Sequence, residues 1–448
     1  MRLWIAGIVG LLLVGGMALA QGVAPIGGQF QVNALTPGNQ FHALVAKDAR
    51  GDFVVVWDGS VSYGTDTSGV SIQARRFEAN GTPKELDFQV NTYTWQTQDR
   101  PNLAVGPQGD FVVVWDSTYS DGDDTSLSIQ GQRFDNGGTP VGAQFEVNSF
   151  TTGQQSLPRA SLDPQGQLVV VWYSLGSYGN DNGHFSVQGQ RYDDTGTPDG
   201  GQFQVNSYTT QYQITASVGA ASDGDFVVVW MSQGSSGADT SNSSIQAQRY
   251  EADGTLDGGE FEVNSYTTSH QYRPALAVNG AGDFVVAWES YGSDGTDTSR
   301  WSIQGQRFDA TGALVDGQFQ VNSYTTEDQY KPAVGMGVDG SFIVVWESEV
   351  SSGTDDSFMS IQGQYYDASG KPVGSEFQVN SYTYHFQLAP AVSAVDTEGN
   401  FVVVWESRYG DGTDPSSWSV QAQRFASRPV LVDNFESGDL SAWSIVVQ

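Results

Sequence analysis

The chain has 448 residues, 51 Asp and Glu against 19 Lys and Arg, a net charge of −32 and no cysteine. Disulfides and a lipid-modified N-terminal Cys are therefore excluded, and stability must come from a large core. So acidic a chain also disfavours DNA, RNA and anionic lipid, whose phosphates need clustered Lys and Arg, and favours cations or neutral ligands.

The first predicted element is a signal peptide over residues 1–20. Arg2 precedes an apolar segment from Leu3 to Val14, then "GGMALA", with cleavage expected after Ala20 in the pattern Ala18-Leu19-Ala20. A membrane anchor is the alternative, but the run is short and no stop-transfer pattern flanks it. The mature protein is expected to be secreted or held at the cell surface, with no insertion into a membrane.

From "GQFQVN" (28–33) onward one unit recurs. An apolar run ends at Trp57, Trp115, Trp172, Trp230, Trp288, Trp346 and Trp405. "S(I/V)Q" begins at Ser71, Ser128, Ser186, Ser244, Ser302, Ser360 and Ser419, and "F(Q/E)VN" ends at Asn33, Asn91, Asn148, Asn206, Asn264, Asn322 and Asn380. The Trp spacing is 57 to 59 residues, the mark of a repeat architecture.

Each unit reads as four short strands. In the fifth they are "RPALAV" (273–278), "GDFVVAW" (282–288), "SIQGQRF" (302–308) and "GQFQVNSYT" (317–325), separated by turn residues. The second is apolar at both parities, so it is buried on both faces, as in blades stacked around an axis. The chain ends define closure. "GQFQVN" is a fourth strand without its first three, and the last unit stops after its third at Phe425. Joining them removes an exposed sheet edge. The sequence predicts an all-β, seven-bladed β-propeller of four-stranded blades over residues 28–425, its last blade closed by the N-terminal strand.

The pattern "GdFVVVWeS…DG…SIQGQRFd…G…EFQVNSYT" resembles a repeat of bacterial secreted propellers along about residues 28–425. The resemblance implies an exported or surface protein, often joined to adhesion-like modules, and carries over no catalytic residue. Residues 426–448 contain "DNFESGDLSAWS", which looks like a short C-terminal tail of exported bacterial proteins. A sorting tail and a loose end remain equally open for this segment, which is too short for its own core.

Residues present in every blade have a structural default. The seven Trp and the Val runs are core. The Gly or Ala of "QGQ" and "QAQ" is expected to let neighbouring sheets approach. A Gln seven residues after each Asn (Gln40 to Gln387) is expected to bond loop backbone groups. Arg50-Gly51-Asp52 belongs to a hairpin turn, since equivalent turns also end in Gly-Asp.

The loops between second and third strands carry Gly-x-Asp in every blade, strengthened to Asp-Gly-x-Asp in three: Asp121 with Asp124 and Asp123 between, Asp294 with Asp297, and Asp411 with Asp414. Hard cations such as calcium prefer carboxylate and carbonyl oxygens. The same residues form Asx turns without metal, so both readings are open. A carboxylate follows the Trp at Asp58, Asp116, Glu289, Glu347 and Glu406, whereas Tyr173 and Met231 stand there in the third and fourth blades. With His184, Tyr208 and Tyr212 these make a less acidic, aromatic sector suited to sugar rings or peptide side chains. Repeat drift without use is the alternative.

Four His, no Cys nucleophile, no Gly-x-Ser-x-Gly and no paired-His motif leave paired carboxylates as the one enzymatic option. The expected function is a secreted, non-catalytic binding or adhesion propeller, monomeric, presenting an acidic loop face to a glycan or protein, with calcium as its candidate ion. A polysaccharide-active enzyme and a structural envelope scaffold are the alternatives.

Overall fold

The computed structural model describes residues 20–430 except 120–126, 177, 178, 182, 235, 236, 238, 240, 241, 294, 298, 299, 351, 352, 356, 357 and 411–417. Asp121, Asp123, Asp124, Asp294, Asp411, Asp414, nearly all of the signal peptide and most of the tail lie outside them.

The described residues form seven antiparallel sheets of four strands and no helix, hence none able to cross a membrane. Blade 1 is Gln40–Lys47, Phe53–Gly59, Ser71–Phe77 and Phe88–Gln89. Blade 5 shows the fuller form: Gln271–Val278, Phe284–Tyr291, Trp301–Phe308 and Leu314–Gln320. Each blade's first strand touches the first strands of both neighbours, and Gln387–Val392 of blade 7 returns to Gln40–Lys47, so seven first strands enclose the axis. The predicted propeller is the observed fold.

Closure also follows expectation. Ala20–Gln31 lies antiparallel to Trp418–Val430, from Ala20 opposite Val430 to Gln31 opposite Gln421. The shared sheet thus runs past Gly28 and Phe425, the limits read from the repeat. No repeat motif marks those residues, because their ladder is made by the backbone.

The apolar runs are buried on both faces because every sheet is packed between two others. The seven Trp are at most 1% exposed. Each packs on the preceding blade: Trp115 shares a cluster with Val54, Val56 and Ile72, and Trp57 with Val402, Val404 and Val420. Burying such side chains contributes about 2–3 kcal/mol each.

Polar residues of the repeat are equally committed. The Trp115, Trp172, Trp288, Trp346 and Trp405 indoles donate to Gln98, Gln155, Gln271, Gln329 and Gln387 at 2.9–3.0 Å. The same glutamines donate to a loop carbonyl three residues earlier, as Gln271 does to Thr268 at 3.2 Å. The "QGQ" glycine serves a contact within the blade instead of between sheets. A Cβ on Gly305 would sit 2.6 Å from the Phe319 ring, which crosses over it from the fourth strand. Arg50-Gly51-Asp52 is the expected turn: Gly51 has φ 88°, and Asp48 accepts the Arg50 and Asp52 amides at 2.8 and 3.0 Å.

Candidate functional site

The loops between second and third strands and those between blades share one face. At its axis the structure builds a ring. Each first strand carries a bulge with one residue in the left-handed region: His42, Arg100, Leu157, Thr215, Arg273, Lys331 and Ala389, with φ from 46° to 54°. That conformation costs about 1–3 kcal/mol for a residue with a side chain. In five places a carboxylate of the preceding blade offsets it by accepting the freed amide. Glu406 accepts from His42 at 2.7 Å, Asp58 from Arg100 at 2.9 Å and Asp116 from Leu157 at 2.9 Å. Glu289 accepts from Lys331 at 2.6 Å, and Glu347 from Ala389. These are the carboxylates that follow the buried Trp. Such charge-assisted bonds stitch one blade to the next.

In four blades the left-handed residue also turns its side chain to the carboxylate of its own blade. His42 Nδ1 lies 2.5 Å from Asp58, Arg100 3.5 Å from Asp116, Arg273 3.0 Å from Glu289 and Lys331 3.0 Å from Glu347. In blades 3 and 4 anion and cation vanish together: Tyr173 stands with Leu157, and Met231 with Thr215. Blade 7 instead keeps the anion without a cation of its own, since Glu406 stands with Ala389.

Burial governs the ring's ionisation. Desolvation pushes Asp116 up to about 7, against the hydrogen bond from Ser156. It pushes Glu406 up to about 7 as well, against the His42 amide. Glu289 is raised by the same desolvation, with Arg273 opposing. For His42 desolvation works downward, but Asp58 and then Glu406 outweigh it and hold the imidazolium above its usual range.

Asp297 is buried, and its Oδ2 accepts the Asn322 amide at 2.8 Å. Asp66, Asp181, Asp239 and Asp355 meet Asn91, Asn206, Asn264 and Asn380 in the same way at 2.9–3.1 Å. Among the described residues no group of three or more His, Asp or Glu gathers as a metal site.

Of the expected ligand residues, Tyr173, His184 and Tyr212 come together around Phe185. Phe185 meets Tyr173 edge-on at 5.0 Å and Tyr212 at 5.9 Å, and His184 lies 4.9 Å from Tyr212. Tyr208 lies apart, over Gly234. Met231 is buried between blades 4 and 5, in the apolar cluster against which Tyr272 packs.

Tyr272 opens a larger aromatic sector that the repeat pattern does not announce. Trp301 stacks on Tyr272 at 5.5 Å and meets Tyr291 edge-on at 5.2 Å, while Tyr272 stacks on His270 at 5.1 Å. Tyr330 of blade 6 lies 6.5 Å from Trp301 and donates to Asp328 at 2.5 Å. Arg300 flanks the group 3.7 Å from Asp328, with its side chain largely exposed. One signal could have found it: the position before "SIQ" holds Val70, Leu127, Phe185, Ser243, Trp301, Met359 and Trp418, so aromatics recur where the repeat demands none.

No family model and no curated protein matches this chain. Among solved structures, the fold is similar to that of a protein of unknown function from Dyadobacter fermentans, with TM-score 0.52 and 9% identity over 91% of this chain and all of that one. The polysaccharide lyase Uly1 gives TM-score 0.49 and 9% identity over 89% of this chain and 92% of that one. The NanB sialidase of Streptococcus pneumoniae gives TM-score 0.46 and 10% identity over 90% of this chain and 71% of that one. At 9% identity the first of these likenesses is one of fold alone.

Proposed function

We propose that the chain is an exported binding propeller that takes a glycan on its loop face, over the aromatic sector of blades 5 and 6. The observation that carries this reading is the stack of Trp301 on Tyr272, with half-exposed Tyr291 beside it and Arg300, Arg273 and Lys331 at its edge. Aromatic faces take the apolar faces of sugar rings, and neighbouring charged groups bond their hydroxyls. The sector around Tyr173, His184 and Tyr212 lies two blades away and would extend the contact along an oligosaccharide. The ring carboxylates read as blade connectors, since each is bonded to a backbone amide; that favours binding over turnover.

Glycan-array binding by the wild-type chain and by Trp301→Ala tests the proposal, with circular dichroism to follow the fold. Loss of binding by a folded variant is expected. Undiminished binding by Trp301→Ala contradicts it.

A polysaccharide-active enzyme is the second reading. It is favoured by Glu406 and Asp116, buried carboxyls pushed up to about 7, the range of a general acid. Product released from the array-positive glycan, and abolished in Glu406→Gln, would establish it.

A further inference from the structure

The opposite face of the disc carries a cavity of about 350 Å³ at the seam where blade 7 meets blade 1. Equivalent spaces between blades 1 and 2 and between blades 4 and 5 are about 10 and 50 Å³. Its walls include Lys47, Arg50, Asp396, Glu398, Asn400 and Arg424.

Arg424 is the anomaly. In blades 1 to 5 the matching arginine of the third strand is neutralised or fully bonded, and blade 6 has Tyr365 in its place. Arg76 pairs with Glu85 at 2.6 Å, Arg307 with Asp316 at 3.4 Å, and Arg191 and Arg249 with Asp199 and Asp257. Arg133 faces an apolar residue but donates to the carbonyls of Gly166, Asp193 and Asp194. Blade 7 borrows its fourth strand from the N terminus, and this puts Ile26 opposite Arg424, where Asp257 stands opposite Arg249. Arg424 keeps one bond, from Nη1 to the Asn80 carbonyl at 2.5 Å, and no carboxylate among the described residues pairs with it. Desolvation alone acts on it, lowering its pKa.

The other cations are already matched. Lys47 pairs with Asp396 at 3.1 Å, and Arg50 with Asp48 at 2.5 Å. Across the cavity stands the Glu398 carboxylate, which takes one long bond from Asn400 Nδ2 at 3.4 Å. A guanidinium without a carboxylate partner and a carboxylate acceptor thus line one space, of the volume that small ligands occupy.

We propose that this cavity is a second binding site, separate from the loop face, for a small carboxylated molecule. Its carboxylate pairs with Arg424, which is shaped for two-pronged recognition, and a hydroxyl or ammonium donates to Glu398. A uronic acid and an α-amino acid both present that chemistry.

Calorimetric titration with galacturonate, with serine and with galactose tests the site, at about 0.15 M salt, which confines the field of the acidic chain to roughly 8 Å. Binding of galacturonate or of serine, and not of galactose, is expected, and whichever binds identifies the source. Arg424→Gln should weaken it at least tenfold. So should Ile26→Asp, which supplies from within the carboxylate that blade 4 already has and so neutralises Arg424. Trp301→Ala should leave it unchanged, which separates this site from the loop face. Failure of both carboxylates to bind, or binding that survives both variants, overturns the proposal.

Discussion

The side-chain amide of Asn322 donates to Asp297 Oδ2 at 2.8 Å while its Oδ1 accepts the Ile303 amide, also at 2.8 Å. One buried asparagine therefore ties the loop between second and third strands to the strand that follows it. A third bond, to the Tyr324 carbonyl at 2.9 Å, fixes the start of the next loop. Asn322→Ala leaves buried partners unpaired, at about 1–3 kcal/mol each. The urea midpoint should fall accordingly; an unchanged midpoint would show the clamp to be energetically idle.

The axial ring predicts a pH dependence. Unfolded, Asp116 and Glu406 ionise near their ordinary 3.8 and 4.5; folded, both titrate at about 7. Between these values the native state binds the extra protons, so stability falls as pH rises through the window and levels off above 7. Each group removes about 1.4 kcal/mol for every pH step of one across that window. Glu406→Gln keeps an acceptor for the His42 amide but removes the titration, so unfolding midpoints from pH 5 to 8 should decline less steeply than in the wild type.

Blade 4 breaks the Trp–Gln pairing. The Trp230 indole and Gln213 Oε1 are both buried without a partner, whereas Trp288 donates to Gln271 at 3.0 Å. Trp→Phe removes one bonded donor at 288 and one unbonded donor at 230. Trp230→Phe should therefore be milder than Trp288→Phe by about 1 kcal/mol in chemical unfolding, since a buried hydrogen bond contributes roughly that much.

Much of this is legible from the repeat. The Trp spacing yields blade number, because each blade must bury the same faces against its neighbours, and the incomplete first and last units yield closure. The post-Trp carboxylates stand out in the sequence, but their amide partners do not. The bulge that frees the amides of His42 or Lys331 is a backbone event at residues that share no type. Tyr173, His184 and Tyr212 read as one sector because they depart from the repeat in adjacent blades. Trp301 and Tyr272 escape notice because each, taken singly, looks like ordinary variation beside a strand. Their stacking joins the first and third strands of the blade across the second, which sequence spacing does not reveal.

Closure by the N-terminal strand has its own consequence. Removing residues 1–31 deletes the partner of Trp418–Val430 and bares a long sheet edge. The truncated chain should lose cooperative melting or self-associate, as read by calorimetry and size-exclusion chromatography. A monomer melting like the full chain would contradict the closure.

The most direct test of the central claim is hydrogen–deuterium exchange of the full chain with and without the glycan that scores highest on the array. The loop-face account predicts slower exchange at residues 270–273, 289–292, 300–303 and 328–331. Protection confined to the opposite-face turns at 48–52 and 396–400 would contradict it.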